Sequence, residues 1–109
     1  MTASDAFASL NRIVDVVPPR APAFTGGDPI LPTPFPVANA AAAALGLGAS
    51  AASEIWRLRS GSRQDIAIDL NAAAASLVSF ALLRLNGRSV PRLADNNATV
   101  GIYRGMDGR

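Results

Sequence analysis

The sequence predicts an α/β protein built from alanine-rich helices and two short strands. Alanine accounts for 22 of the 109 residues, many of them in the runs 40–44 and 72–75. A stretch near the middle, Gln64–Leu70, alternates polar and apolar residues and contains β-branched isoleucines, a pattern typical of a strand. Half of the chain is hydrophobic and its mean hydropathy is +0.24, so it is too apolar for a disordered polypeptide.

The first predicted element is a helix from Ser4 to about Val16. Its apolar residues recur from Phe7 to Val17 at i, i+3, i+7 and i+10, the spacing of one helical face. Ser4 is expected to cap this helix, and Pro18-Pro19 to end it.

A proline-rich segment follows, from Val17 to Val37, with a turn signal at Gly26-Gly27. It is too apolar for a free linker, and we expect an extended arm that lies on a larger body. We therefore divide the chain into a helix and arm, residues 1–36, and a helix-strand-helix-strand portion, residues 37–109.

The second helix is predicted from about Ala40 to Arg59, ending at Ser60-Gly61. Gly46 and Gly48 lower its helix propensity, so we expect a neighbour to pack closely against both. Two faces are predicted, an apolar one (Leu47, Ala51, Ile55, Leu58) and a polar one (Ser50, Ser53, Glu54, Arg57).

After the strand Gln64–Leu70, Asp69 or Asn71 is expected to cap a third helix over about 72–85. This helix has almost no polar stripe, which predicts that it is buried on all sides. The second strand is predicted at Thr99–Arg104, before a turn at 106–108. Two strands form only a marginal sheet, so we expect a further strand beyond the turn and interpret the chain as truncated.

Composition excludes several classes of function. Without cysteine or histidine, the chain cannot form disulfides, a thiol nucleophile or the usual zinc site. All ten basic residues are arginines and eight acids offset them to a net charge of +2, so we expect no nucleic-acid partner. Prolines interrupt the uncharged stretch 29–53, so we expect no membrane partner, and we expect no secretory signal and a cytoplasmic location.

Three segments, in this order, resemble the family III CoA-transferases: PFPVANAAAAALGLGASAASEIWRLRSGSRQ, DIAIDLNAAAASL and GIYRGMDGR. The family includes formyl-CoA transferases, carnitine CoA-transferases and α-methylacyl-CoA racemases. The resemblance spans roughly 30–109 and is most distinctive at 59–64. It implies part of a Rossmann-like fold, coenzyme A and acyl-CoA as substrates, no covalently bound cofactor and no metal. It also implies a homodimer, or assembly with the remainder of a larger CoA-transferase.

The resemblance places Asn39 at the position of the family's nucleophilic aspartate. That aspartate attacks the acyl-CoA thioester, a role that needs a carboxylate at a helix N-terminus. An amide lacks the charge, so we predict that Asn39 is non-functional as a nucleophile and caps the second helix. Asp28, the only nearby carboxylate, is expected to be a turn residue.

The arginines at 57, 59 and 63 have two interpretations, as contacts to the phosphates of coenzyme A or as a solvated helix terminus. Trp56 is expected to pack against a helix rather than to stack on adenine. For the whole chain, the leading prediction is part of a CoA-transferase without activity of its own. The alternatives are a small helical protein-interaction module and one piece of a split CoA-transferase.

Overall fold

A computed structural model describes residues 1–14, 20–89 and 103–108. The chain forms two compact units, Met1–Leu77 and Val78–Arg109, and each is described separately below. Together the described residues contain helices and short strands, so the chain is an α/β protein in the broad sense. The predicted division at residue 36 falls within the first unit, where the helices on either side of it pack together.

Helix α1 spans Ala3–Val14. The Thr2 hydroxyl accepts a hydrogen bond from the Asp5 backbone N–H at 3.2 Å, and the Asp5 carboxylate accepts one from the Thr2 N–H at 2.8 Å. This reciprocal pair is a capping box, so the prediction that Ser4 caps the helix is wrong by two residues. The predicted end of the helix, at 15 and 16, lies outside the described residues.

The centre of the first unit is a strand-helix-strand arrangement. Strand β1 (Ala23–Thr25) pairs in parallel with strand β2 (Ala67–Asp69), and helix α2 (Val37–Ser60) lies between them in the chain. A parallel pair needs such a crossover, usually a helix, to return the chain to the same end of the sheet. The predicted strand at 64–70 is thus confirmed in its second half, whereas β1 was not predicted within the arm.

Helix α2 packs through its small residues. Its buried positions are Ala38, Asn39, Ala42, Ala43, Gly46 and Ser50, and α1 and α3 both pack against this helix. The predicted apolar face is wrong at Ile55 and Leu58, which are exposed, and the predicted polar face is wrong at Ser50, which is 2% exposed. Small side chains occupy the buried positions of α2 because they let neighbouring backbones approach closely.

Two glycines of α2 were expected to have close neighbours, and only one does. A Cβ on Gly46 would lie 3.1 Å from Cζ of Phe24 and 3.4 Å from Cγ of Pro22. Nothing lies within 4 Å of the corresponding position on Gly48, so that expectation is wrong.

The proline-rich arm lies partly on the core. Phe24 and Ile30 pack against the buried cluster of Ala3, Ala42, Leu70 and Ala73, and Phe24 also meets the ring of Phe7 at a centroid distance of 6.0 Å. Phe35 remains 69% exposed. The arm therefore contributes to the core through β1 and the residues just after it.

Helix α3 spans Leu70–Leu77 and ends eight residues earlier than predicted. Its cap is Asp69, whose carboxylate accepts a hydrogen bond from the Ala72 N–H at 2.9 Å, which confirms one of the two predicted caps. Leu70 and the alanines at 73 and 74 are buried.

In the second unit, the residues predicted as the end of the third helix form other secondary structure. A short 3₁₀ helix (Ser79–Leu82) precedes a hairpin of β3 (Arg84–Leu85) and β4 (Arg88–Ser89). Asn86 and Gly87 both adopt positive φ, as a tight two-residue hairpin turn requires. The predicted helix was expected to end at this same turn, whereas α3 already ends at Leu77, and β3 and β4 were not predicted.

The prediction that 72–85 is buried on all sides is also wrong. Four large apolar residues of the second unit are 59–72% exposed: Phe80, Leu82, Leu83 and Leu85. The turn at Met106 and Asp107 is confirmed. Of the predicted strand Thr99–Arg104, residues 99–102 lie outside the described residues, and Tyr103 and Arg104 are not in a strand.

Candidate functional site

The residue aligned with the family's nucleophile, Asn39, is the third residue of α2 and only 7% exposed. Its side-chain amide donates a hydrogen bond to the Met1 carbonyl oxygen at 3.2 Å. The prediction that Asn39 caps α2 is wrong, because the helix begins two residues before it. Asn39 instead ties the start of α2 to the start of the chain.

Asp28 takes the capping role. Its carboxylate accepts hydrogen bonds from the backbone N–H of Asn39 at 2.8 Å and of Ala38 at 3.3 Å. These are two of the orphan donors of a helix N-terminus, and Pro36, at the N-cap position, has no side chain that can accept from them. Asp28 thus does more than form a turn, since it places a negative charge at the positive end of the helix dipole.

Asp28 and Asn39 face a common cavity of about 340 Å³. Its walls are Gly26 and Gly27, which follow β1, Leu70, which follows β2, and the first four residues of the chain. The cavity therefore lies where the two parallel strands end, the edge at which open α/β sheets usually bind ligands. Sequence reasoning noted Asp28 as the nearest acid but gave no reason to bring it to the start of α2.

A carboxylate at this place has defined chemical properties. Both oxygens of Asp28 accept hydrogen bonds from backbone N–H groups. Asn39 offers an uncharged amide beside it, so the pair supplies one potential nucleophile and no second acid. Among the described residues, no group of three or more histidine, cysteine, aspartate or glutamate side chains is placed to hold a metal ion.

The three arginines near the end of α2 do not form one cluster. Arg57 binds the Glu54 carboxylate through both Nε and a terminal nitrogen. Hydrogen bonding by Arg57 lowers the pKa of Glu54, and the carboxylate in turn raises the pKa of Arg57. Arg59 is exposed on the helix end, whereas Arg63 lines a different cavity together with Arg20.

Trp56, which was expected to pack against a helix, is 49% exposed. None of the described helices is both long and apolar enough to cross a membrane.

No protein-family model matches the chain, and neither the curated proteins nor the solved structures contain a match to it.

Proposed function

We propose that this chain is a CoA-transferase-like βαβ portion that has no transferase activity by itself and works within a larger assembly. The observation that carries the proposal is the parallel β1-α2-β2 unit, which has the strand-helix-strand order of a Rossmann-like fold. Coenzyme A and acyl-CoA are the ligands of that assembly, which works in the cytoplasm.

The site supports the inactive part of the proposal. Asn39 is an amide whose nitrogen is already bound to the Met1 carbonyl, and an amide is a poor nucleophile toward a thioester. The nearby carboxylate, Asp28, accepts hydrogen bonds from the N–H groups of Ala38 and Asn39 and so stabilises the start of the helix. Acylation of one of its oxygens removes the negative charge of Asp28 and so weakens those hydrogen bonds.

An acyl-transfer assay of the whole chain tests this proposal. The purified protein is incubated with acetyl-CoA or succinyl-CoA and a set of carboxylic acids, and new CoA esters are measured by liquid chromatography. We expect no turnover above the buffer control. Turnover that survives Asn39→Ala but is lost in Asp28→Asn would contradict the proposal and assign the chemistry to Asp28.

A protein-interaction module is the second candidate, and a separate observation favours it. Large apolar side chains are exposed in each unit, including Ile55 and Leu58 on α2 and Phe80, Leu82 and Leu83 in the second unit. Exposed apolar residues in such number are typical of surfaces that bind another protein. A second copy of the chain and the remainder of a split CoA-transferase are the two partners that we propose for it.

A further inference from the structure

Two further cavities lie at the opposite end of the β1-β2 sheet. One, of about 280 Å³, is lined by Arg20, Ser50, Ser53, Arg63, Gln64, Asp65 and Ile66. The other, of about 200 Å³, shares Arg20, Gln64, Asp65 and Ile66 with the first. Because these shared residues precede β1 and β2, the two cavities adjoin where the strands begin, and we call them the strand-start groove.

The groove presents two cationic side chains beside a wall formed by α2. Arg20 and Arg63 come from segments 43 positions apart in the chain. Ser53 lies on the α2 wall, and its hydroxyl donates to the Gln64 carbonyl oxygen at 3.4 Å, which links the wall to the segment before β2. Two guanidinium groups that reach one groove from separate segments of the chain suit a phosphate group, whose oxygens accept hydrogen bonds from several directions.

Neither arginine is held by a buried ion pair with another described residue. Arg20 pairs with Asp65 at 3.1 Å, but both side chains are 81% exposed, and such surface pairs contribute little to stability. Neither of the ion pairs between described residues includes Arg63. The Arg63 charge does reach Glu54, whose pKa is lowered first by the Arg57 hydrogen bond and to a smaller extent by Arg63.

We propose that the strand-start groove binds a phosphate group, with Arg63 and Arg20 as its cationic ligands and Asp65 as a competitor for Arg20. With two arginines and one aspartate, the groove has a net charge of +1 before a ligand enters. When phosphate binds, Arg20 exchanges its bond to Asp65 for one to a phosphate oxygen. The inference does not rest on the proposed function, since it concerns the opposite end of the sheet from Asp28 and Asn39.

The test is an NMR titration of the whole ¹⁵N-labelled chain at pH 8 and constant ionic strength. Inorganic phosphate and glycerol 3-phosphate are the two probes, which distinguish a free phosphate from a phosphate ester, and acetate is the carboxylate control. Saturable shifts of the Ser53, Gln64 and Asp65 amides with either phosphate probe support the proposal. Shifts that do not saturate, or that acetate reproduces at equal concentration, would overturn it.

Four variants make the test specific. Losing a charged hydrogen bond in Arg63→Gln should weaken phosphate binding about tenfold, and Arg20→Gln should act in the same direction. Arg59→Gln, which removes the same charge from the neighbouring helix end, should change affinity less than about twofold. Asp65→Asn should tighten binding, because it releases Arg20 and removes a negative charge. Equal weakening in Arg59→Gln and Arg63→Gln, or weaker binding in a folded Asp65→Asn protein, would show that no such site exists.

Discussion

Three carboxylates cap helices in the first unit, from different distances along the chain. Asp5 caps α1 together with Thr2, three residues away, whereas Asp28 caps α2 from ten and eleven residues upstream. Asp69, the third such carboxylate, caps α3 from the position directly before it. Local caps are recognisable from spacing, since the capping residue is adjacent to the helix. The Asp28 cap is not, because it requires the chain to fold back from Gly26-Gly27 to the start of α2.

Removing the charge of Asp28 should therefore destabilise the protein. Asp28→Asn keeps the shape of the side chain but weakens two hydrogen bonds to N–H groups and the interaction with the helix dipole, at a cost of about 1 kcal/mol. Urea unfolding followed by circular dichroism measures the change. Asp65→Asn, at a carboxylate that is 81% exposed in the same unit, is the matched control. A loss in Asp28→Asn no larger than in that control would contradict the capping role.

The smallest side chains of helix α2 determine which of its faces packs against the rest of the first unit. Its buried face carries alanines, Gly46 and Ser50, while the larger Ile55 and Leu58 remain exposed. Hydrophobic periodicity favours the large residues as the buried face, and here it selects the wrong side near the C-terminal end. Phe24 and Pro22 supply the bulk instead, which fits only where α2 has no side chain at Gly46.

Valine substitutions at the two glycines should separate packing from helix propensity. Gly46→Val forces methyl groups into Phe24 and Pro22, and we expect a loss of about 1–3 kcal/mol in the free energy of unfolding. Gly48→Val meets no neighbour within 4 Å and should change that free energy by less than about 0.5 kcal/mol. Chemical denaturation of both variants checks this. Equal changes in the two variants would contradict close packing at Gly46, because both substitutions alter helix propensity in the same way.

On the scale of the whole molecule, the amount of exposed apolar surface is its main property. A small alanine-rich core buries few large side chains, and the fully buried ones are headed by Leu70. The described part of the chain leaves Ile55, Leu58, Phe80 and Leu83 more than half exposed. When a partner covers such side chains, the free energy falls by about 25 cal/mol for each Å² of apolar surface that is buried.

Association should follow from this surface. We expect sedimentation velocity to show self-association of the chain at micromolar concentration, and the double substitution Ile55→Gln and Leu58→Gln to reduce it. Ala40→Gln with Ala44→Gln, two exposed positions of the same helix that hold less apolar area, is the control pair. A wild-type chain that sediments as a folded monomer at every concentration would contradict the prediction.

Local patterns determined much of the secondary structure. Alanine runs, prolines and glycines placed α1, α2 and the start of α3, because propensity and breakers act within a few residues. Gln64–Leu70 likewise contained β2. The end of α3 at Leu77 was not predicted, because the apolar residues continue to Leu85 and the strands β3 and β4, of two residues each, are too short to show an alternating pattern.

Only the tertiary structure decided which residues meet. It made β1 a strand by pairing it with β2, 44 residues away, brought Asp28 to the start of α2, and placed Arg20 beside Asp65 and Arg63. It also turned Asn39 from an expected cap into a buried link to Met1. The sequence by itself determined that the chain forms helices and that it has no histidine or cysteine side chain for catalysis or metal binding. Contacts between distant segments depend on the path of the whole chain, which no local spacing encodes.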